Sequence, residues 1–242
     1  QLIGTVTDAG QVVSGMVIHY SNNPLVTVSG VGLDTYTVHA VNNIDDELAG
    51  TGVVSYGNYE IDRKIVKTEV RGSQVTVYFD QSEGATLCYT SASRNYPGDL
   101  TYTITQNKPI TVSTLGLFPE SYTTDYFCDN SVLDEEVAKF TSEIVPGGIN
   151  YQLYKPEGGA DKLVVWFHGN GEGDMLGSNN NMAQMLGNRG AVAWASDEFQ
   201  EILGGAYVLA FQAPDTWYYA QRDGLLDQAA AEIEAVVSVY GI

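Results

Sequence analysis

The stretch LVVWFHGNGEGDM, residues 163–175, joins five apolar residues directly to a glycine-rich loop. A continuous apolar run of this length is typical of a strand covered on both faces, and close glycines let the chain turn tightly after it. A second apolar run, AYVLAF at 206–211, follows. The two runs predict strands of an α/β sheet, with the glycine loop at the end of the first.

A helix and a hairpin are predicted around these strands. The segment SEIVPGGINYQLYKP at 142–156 predicts a hairpin that turns at Pro146, Gly147 and Gly148. Asp223 stands where the cap of a C-terminal helix is expected. The apolar face of that helix follows i, i+3, i+4 spacing and comprises Leu226, Ala229, Ala230, Ile233, Val236, Val237 and Tyr240.

Residues 1–130 have a different period. Apolar and polar residues alternate there with the period of two expected of half-buried strands. Turn formers such as RGSQ at 71–74 and YPGD at 96–99 separate the runs. About seven short strands are predicted, the number found in an immunoglobulin-like sandwich. The predicted inward faces are Met16/Ile18/Tyr20, Tyr36/Val38/Ala40, Val75/Val77/Phe79 and Leu100/Tyr102/Ile104.

Charge argues against two classes of partner. The 242 residues contain 11 Lys plus Arg and 30 Asp plus Glu, a formal net charge of -19. Such a surface repels phosphate backbones and anionic lipids, so neither nucleic acid nor a membrane is expected as a partner. No apolar run reaches the roughly 18 residues of a membrane span.

The first half has features of an extracellular β-protein. It carries both cysteines, Cys88 and Cys128, and much of the chain's tyrosine, threonine, serine and asparagine. A disulfide between the two cysteines and a pair of free buried thiols both remain open. A secreted or extracellular location is expected.

The glycine loop allows three interpretations. A phosphate-binding loop requires G-x-x-x-x-G-K-[ST], and no Lys follows these glycines. A dinucleotide site requires G-x-G-x-x-G opening into a helix, and Gly169, Gly171 and Gly173 are spaced differently. The third is an oxyanion hole, in which main-chain N–H groups point to developing negative charge.

The sequence VVWFHGNGEGD resembles the H-G-x-G-E loop of α/β-hydrolase esterases, in particular secreted esterases and prolyl-oligopeptidase-like serine hydrolases with an N-terminal immunoglobulin-like domain. The order of hairpin, strand, loop, strand and helix is also similar. The resemblance implies an all-β immunoglobulin-like sandwich at 1–130, followed by the N-terminal part of an α/β-hydrolase domain at 131–242.

The resemblance also implies residue roles. The turn of the oxyanion loop would be made by Gly169 and Gly171, with the backbone amide of Asn170 as the favoured donor. His168 would be structural and Glu172 would anchor the loop, a catalytic role for Glu172 being the alternative. The segment VLAFQAPDTW makes Trp217 a candidate wall of the substrate cleft, or else an ordinary packing aromatic.

The remaining catalytic groups are absent from the sequence. It contains no G-x-S-x-G, and His168 is the only histidine after residue 130. His19 and His39 fall on predicted strands, where a surface or core position is expected. No His, Cys, Asp or Glu cluster has metal-ligand spacing, so neither a metal nor a cofactor is invoked.

The resulting expectation is a secreted serine hydrolase, of carboxylesterase type, acting on small or polymeric esters. In the order that the resemblance implies, the Ser, Asp and His would follow residue 242 or lie on a second polypeptide that completes the domain. The chain alone is then expected to be inactive. The alternatives are a prolyl-oligopeptidase-type peptidase and a non-catalytic polysaccharide-binding β-sandwich protein.

Overall fold

The computed structural model describes residues 1–44, 54–114, 125–127, 131–174 and 181–242. Most of the regular structure in these ranges is β. The strands are β1 (Leu2–Thr7), β2 (Gly10–His19), β3 (Val26–Ser29), β4 (Tyr36–Ile44), β5 (Val54–Tyr56), β6 (Tyr59–Asp62), β7 (Ile65–Arg71), β8 (Gln74–Phe79), β9 (Leu87–Thr90), β10 (Asn95–Gln106), β11 (Thr111–Thr114), β12 (Asp125–Phe127), β13 (Val132–Leu133), β14 (Phe140–Glu143), β15 (Asn150–Tyr154), β16 (Leu163–Phe167) and β17 (Tyr207–Gln212).

The helices of the described residues follow β16. They are α1 (Ala183–Leu186), α2 (Gly190–Ala193), α3 (Asp197–Leu203) and α4 (Leu225–Tyr240). Short 3₁₀ turns lie at Val137–Lys139, Asn170–Glu172 and Trp217–Tyr219. None of the helices in the described ranges combines the length and apolarity needed to cross a membrane.

Three sheets are built mainly from the first half of the chain. One has the order β13-β1-β2-β8-β7, a second has the order β5-β9-β10-β4-β6 with β12 also on β10, and the third pairs β11 with β3. Eleven of the twelve predicted inward residues belong to one buried cluster, and Tyr20 packs against it half-buried. The period-two prediction for these faces is therefore confirmed.

The last sheet carries the glycine loop. Its order is β14-β15-β17-β16, with β15 antiparallel to both β14 and β17, and β16 parallel to β17. The hairpin predicted at 142–156 is confirmed as β14 and β15. Strand β17 is buried throughout, because Met185 and Val192 pack on one face and Ala229 and Val236 on the other.

The predicted fold class, an all-β immunoglobulin-like sandwich followed by the N-terminal part of an α/β-hydrolase domain, is wrong. The described residues are mostly β throughout, in several sheets, and three of the four α-helices have seven residues or fewer. In the described part of residues 1–130, twelve strands begin, where about seven were expected. Strands of two to four residues are too short for alternation to be visible in a sequence.

The expected boundary near residue 130 stays a prediction. Immediately after it, Val132 and Leu133 pair in parallel with Leu2 and Ile3. The buried carboxylate of Asp134 accepts a 2.9 Å hydrogen bond from Nε2 of Gln11. These contacts tie the acidic segment after residue 130 to strands near the N-terminus.

Two local predictions are also wrong. YPGD at 96–99 forms no turn but lies inside β10, where it pairs with β9 and β4. The absence of a side chain at Gly98 leaves room for the side chain of Asn42. The cap of α4 is Gly224, in the left-handed conformation with φ 72°, while Asp223 pairs with Arg222. On α4 itself, Ala229 and Val236 are buried as predicted, whereas Leu226 is 49% exposed.

Cys88 is a buried free thiol, which donates a hydrogen bond to Oδ1 of Asn58 at 3.3 Å. Burial raises its pKa to about 11. Cys128, the other half of the possible disulfide, lies outside the described residues.

Candidate active-site loop

The loop begins where β16 ends and is fixed against the end of β17. Because Phe167 pairs with Phe211 in a parallel register, the chain leaves both strands at the same edge of the sheet. There the N–H of Asp174 donates to the carbonyl of Ala213 at 2.8 Å, and Nε2 of Gln212 donates to the carbonyl of Glu172 at 3.1 Å. These bonds fix the C-terminal part of the loop against the end of β17.

Both ring nitrogens of His168 are engaged. Nε2 lies 2.9 Å from the backbone N of Ala213, and Nδ1 lies 2.5 Å from the carbonyl oxygen of Gly169. An N–H must donate to Nε2 and a carbonyl must accept from Nδ1, so these partners assign the neutral tautomer with its proton on Nδ1. Burial lowers the pKa of His168, against the effect of the Gly169 hydrogen bond, which raises it. The ring can therefore hold the loop but has no nitrogen left to act as a base.

Glu172 is a buried carboxylate within the loop. Burial raises its pKa, and hydrogen bonds from the backbone N–H groups of Gly169 and of Glu172 itself act in the opposite direction. The carboxylate thus closes the loop by binding an amide three residues before it. The anchoring role of Glu172, with a catalytic role as its alternative, stays a prediction.

The amides of Asn170 and Gly171 open the 3₁₀ turn at 170–172. The first N–H groups of any helical turn have no acceptor within the turn. Neither amide donates to another of the residues that the structure describes. Two adjacent donors are thus left for a ligand at this position.

Trp217 packs beside the loop. Its ring lies edge-on to Phe167, with centroids 4.9 Å apart, and 5.4 Å from the ring of His168. It is half-buried, at the start of a 3₁₀ turn that the side chain of Thr216 caps. The structure thus brings Trp217 next to the predicted loop, in contacts that also suit a packing aromatic.

The other histidines are remote from this loop in the fold. His19 ends β2, is exposed, and lies 3.3 Å from Nε2 of Gln74. His39 lies on β4, with Nδ1 3.0 Å from Oδ1 of Asp62. No group of three or more His, Cys, Asp or Glu able to hold a metal occurs within the described ranges.

Sequence reasoning missed three residues that contact the loop region. Arg94, on the turn between β9 and β10, contacts Asp215, and Asn95, the first residue of β10, contacts Glu172. Asp215 follows β17 and is separated from Arg94 by 121 positions. No local pattern could have indicated such a long-range pairing.

A solved structure has this fold. It is described as a thermostable esterase and matches with a TM-score of 0.74 and 23% sequence identity, covering 100% of this chain and 66% of that one. The chain thus spans 66% of the length of that esterase structure. No family model and no curated protein matches the sequence. At this identity the likeness defines the fold, which includes the sheet that carries the loop.

Proposed function

We propose that this chain supplies the oxyanion-binding loop of a serine hydrolase, of carboxylesterase type, that cleaves carboxylic esters. The observation that carries the proposal is the pair of amides, Asn170 and Gly171, at the start of a turn whose ends are both hydrogen-bonded. The fold likeness to a protein described as a thermostable esterase supports ester hydrolysis.

The chemistry requires fixed donors. When a nucleophile attacks an ester carbonyl, the carbonyl oxygen becomes negatively charged, and a preorganised N–H group stabilises that charge by about 3–4 kcal/mol. Preorganisation follows from the contacts of the loop, because His168 links it to Ala213 and Glu172 closes it on Gly169. The Asn170 amide is the favoured donor, with Gly169 and Gly171 forming the turn around it.

The nucleophile would come from polypeptide outside these 242 residues. The sequence has no G-x-S-x-G, and the neutral ring of His168 is fully engaged by backbone groups. Strand β16 has one neighbour among the described strands, so its other edge can pair with a further strand. A second polypeptide carrying the Ser/Asp/His triad could add that strand. Its identity as a partner is part of the proposal.

The proposal extends to the substrate and the cellular location. The half-exposed ring of Trp217 beside the loop would form one wall of the cleft for a small or polymeric ester. The acidic, tyrosine-rich composition fits a secreted protein. Neither nucleic acid nor a membrane is proposed as a partner.

The proposal is tested with the protein that contains this chain together with any polypeptide that copurifies with it. We expect it to hydrolyse p-nitrophenyl esters and to be labelled by a fluorophosphonate probe. Matched p-nitroanilides separate an esterase from a peptidase, since faster amide cleavage would favour the latter. The absence of both turnover and labelling would contradict the proposal, and glycan binding without hydrolysis would favour the polysaccharide-binding alternative.

A further inference from the structure

We infer that Arg94, on the turn between β9 and β10, and Asn95, the first residue of β10, are positioning residues for the loop at 168–174. Through them the N-terminal sheets would control the geometry of the oxyanion donors. The inference rests on the proposed function for its catalytic consequence, and on contacts alone for its structural part.

The turn that carries these residues is tightly defined. The N–H of Thr90 donates to the carbonyl of Arg94, and the N–H of Ser93 donates to the carbonyl of Thr90, each at 2.9 Å. Ser93 adopts φ 61°, a left-handed conformation that a residue with a side chain keeps only where its surroundings require it. The start of β10 is therefore held in one orientation towards the loop.

Arg94 points its charge into the site region. Its side chain is 7% exposed and pairs with the carboxylate of Asp215. Burial raises the pKa of Glu172 and lowers that of His168, and the nearby positive charge of Arg94 has a smaller, lowering effect on both. Because the guanidinium of Arg94 is buried, water screens its pairing with Asp215 less than it would screen an exposed ion pair.

Asn95 and Tyr89 support the loop directly. Nδ2 of Asn95 lies 3.4 Å from Oε1 of Glu172. A Cβ added at Gly171 would lie 2.9 Å from Nδ2 of Asn95 and 3.3 Å from the ring of Tyr89. The backbone of the turn at 170–172 is thus packed against side chains of β9 and β10, and a side chain at position 171 would displace that of Asn95.

Asp215 connects the two supports. The backbone of Gly173 packs so closely on the Asp215 carbonyl that a Cβ could not be accommodated. Arg94 therefore holds the segment on which Gly173 rests, while Asn95 holds Glu172. The loop is therefore hydrogen-bonded to the end of β17 on one side and contacts residues of the N-terminal sheets on the other. Because small displacements of a catalytic group lower the reaction rate, loss of the contacts of Arg94 and Asn95 should impair the reaction.

Hydrogen exchange of the full chain, with any copurifying partner, tests the structural part. In Arg94→Met and Asp215→Asn, amides at 168–174 should exchange about tenfold faster than in the wild type. Lys108→Met, which breaks the exposed Lys108–Asp34 pair, is the matched control and should leave this peptide unchanged. Unchanged exchange of the loop in Asp215→Asn, which removes the charge of Asp215 but retains a polar side chain, would overturn the inference even if Arg94→Met failed to fold.

Kinetics of the ester-cleaving protein test the catalytic part. We expect Arg94→Met to lower kcat about ten- to a hundredfold with KM within about twofold, and Arg94→Lys to recover part of the loss. A merely structural contact would lower the melting temperature and leave kcat per folded molecule unchanged, which would overturn the positioning role. If the wild type cleaves no ester, the proposed function fails, and the exchange result still decides whether the turn holds the loop.

Discussion

The backbone amide of Ala213 donates a 2.9 Å hydrogen bond to Nε2 of His168, joining the residues that follow two neighbouring parallel strands. The bond fixes the first residue of the loop to the end of the most buried strand of its sheet. Nδ1 of the same ring lies 2.5 Å from the carbonyl oxygen of Gly169, so the His168 ring links the end of β17 to the loop by two hydrogen bonds.

Removal of the His168 ring should destabilise the folded chain. In His168→Ala the buried amide of Ala213 loses its acceptor, which costs about 1–3 kcal/mol of the free energy of unfolding. Urea denaturation measures the loss, with His19→Ala, at an exposed position, as the control. Equal losses of the free energy of unfolding in the two variants would contradict a stabilising role for the His168 hydrogen bonds.

The pH dependence of stability should carry the signature of His168. Burial holds its pKa below the ordinary value of 6.5, so in the window below 6.5 the unfolded chain binds a proton that the folded chain does not. The stability from this group is present above pH 6.5 and is lost as the pH falls through the folded pKa. Urea midpoints of wild type and His168→Ala should converge as the pH is lowered. Parallel profiles would show that His168 titrates as an exposed residue.

Glu172 should have the opposite dependence. Burial raises its pKa above the ordinary value of 4.5, so the folded chain retains this proton to higher pH than the unfolded chain does. Its contribution to stability is complete below pH 4.5 and is lost as the pH rises through the folded pKa. As the pH rises from 4.5 through the folded pKa, the free energy of unfolding of the wild type should therefore fall relative to that of Glu172→Gln. Glu157→Gln makes the same charge change at an exposed position and is the control, and a Glu172→Gln profile that does not depend on pH would refute the burial argument.

Gly173 is required for close approach and not for its conformation. Its φ of -66° suits any residue, yet a methyl group there would overlap the carbonyl of Asp215. We expect Gly173→Ala to lower the free energy of unfolding by about 1–3 kcal/mol. Gly32→Ala is the control, because the nearest atom to its added carbon is Oδ1 of Asp34 at 3.4 Å. Equal stability of the two variants would mean that the loop can shift away from Asp215.

Local sequence patterns predicted the elements that carry the loop. Strands β16 and β17 were visible as apolar runs, and the hairpin before them was visible at Pro146 and two glycines. The same patterns failed where tertiary contacts decide the structure. The sequence predicts a turn at Gly98, whereas Gly98 lies within β10 and leaves room for the side chain of Asn42. The ion pair between Arg94 and Asp215 joins residues 121 positions apart. The fold class was wrong because many strands are too short for periodicity to reveal.

The central claim is that the Asn170 amide stabilises the oxyanion, and a proline at this position tests it most directly. Asn170→Pro removes the N–H at the first position of the turn, where proline is tolerated, and the extended backbone of Gly169 (φ -77°, ψ -173°) is compatible with a following proline. Asn170→Ala keeps the N–H and serves as the control. In the ester-cleaving protein we expect kcat to fall about a hundred- to a thousandfold in Asn170→Pro and to stay near the wild-type value in Asn170→Ala. Equal kcat values in two folded variants would contradict the account.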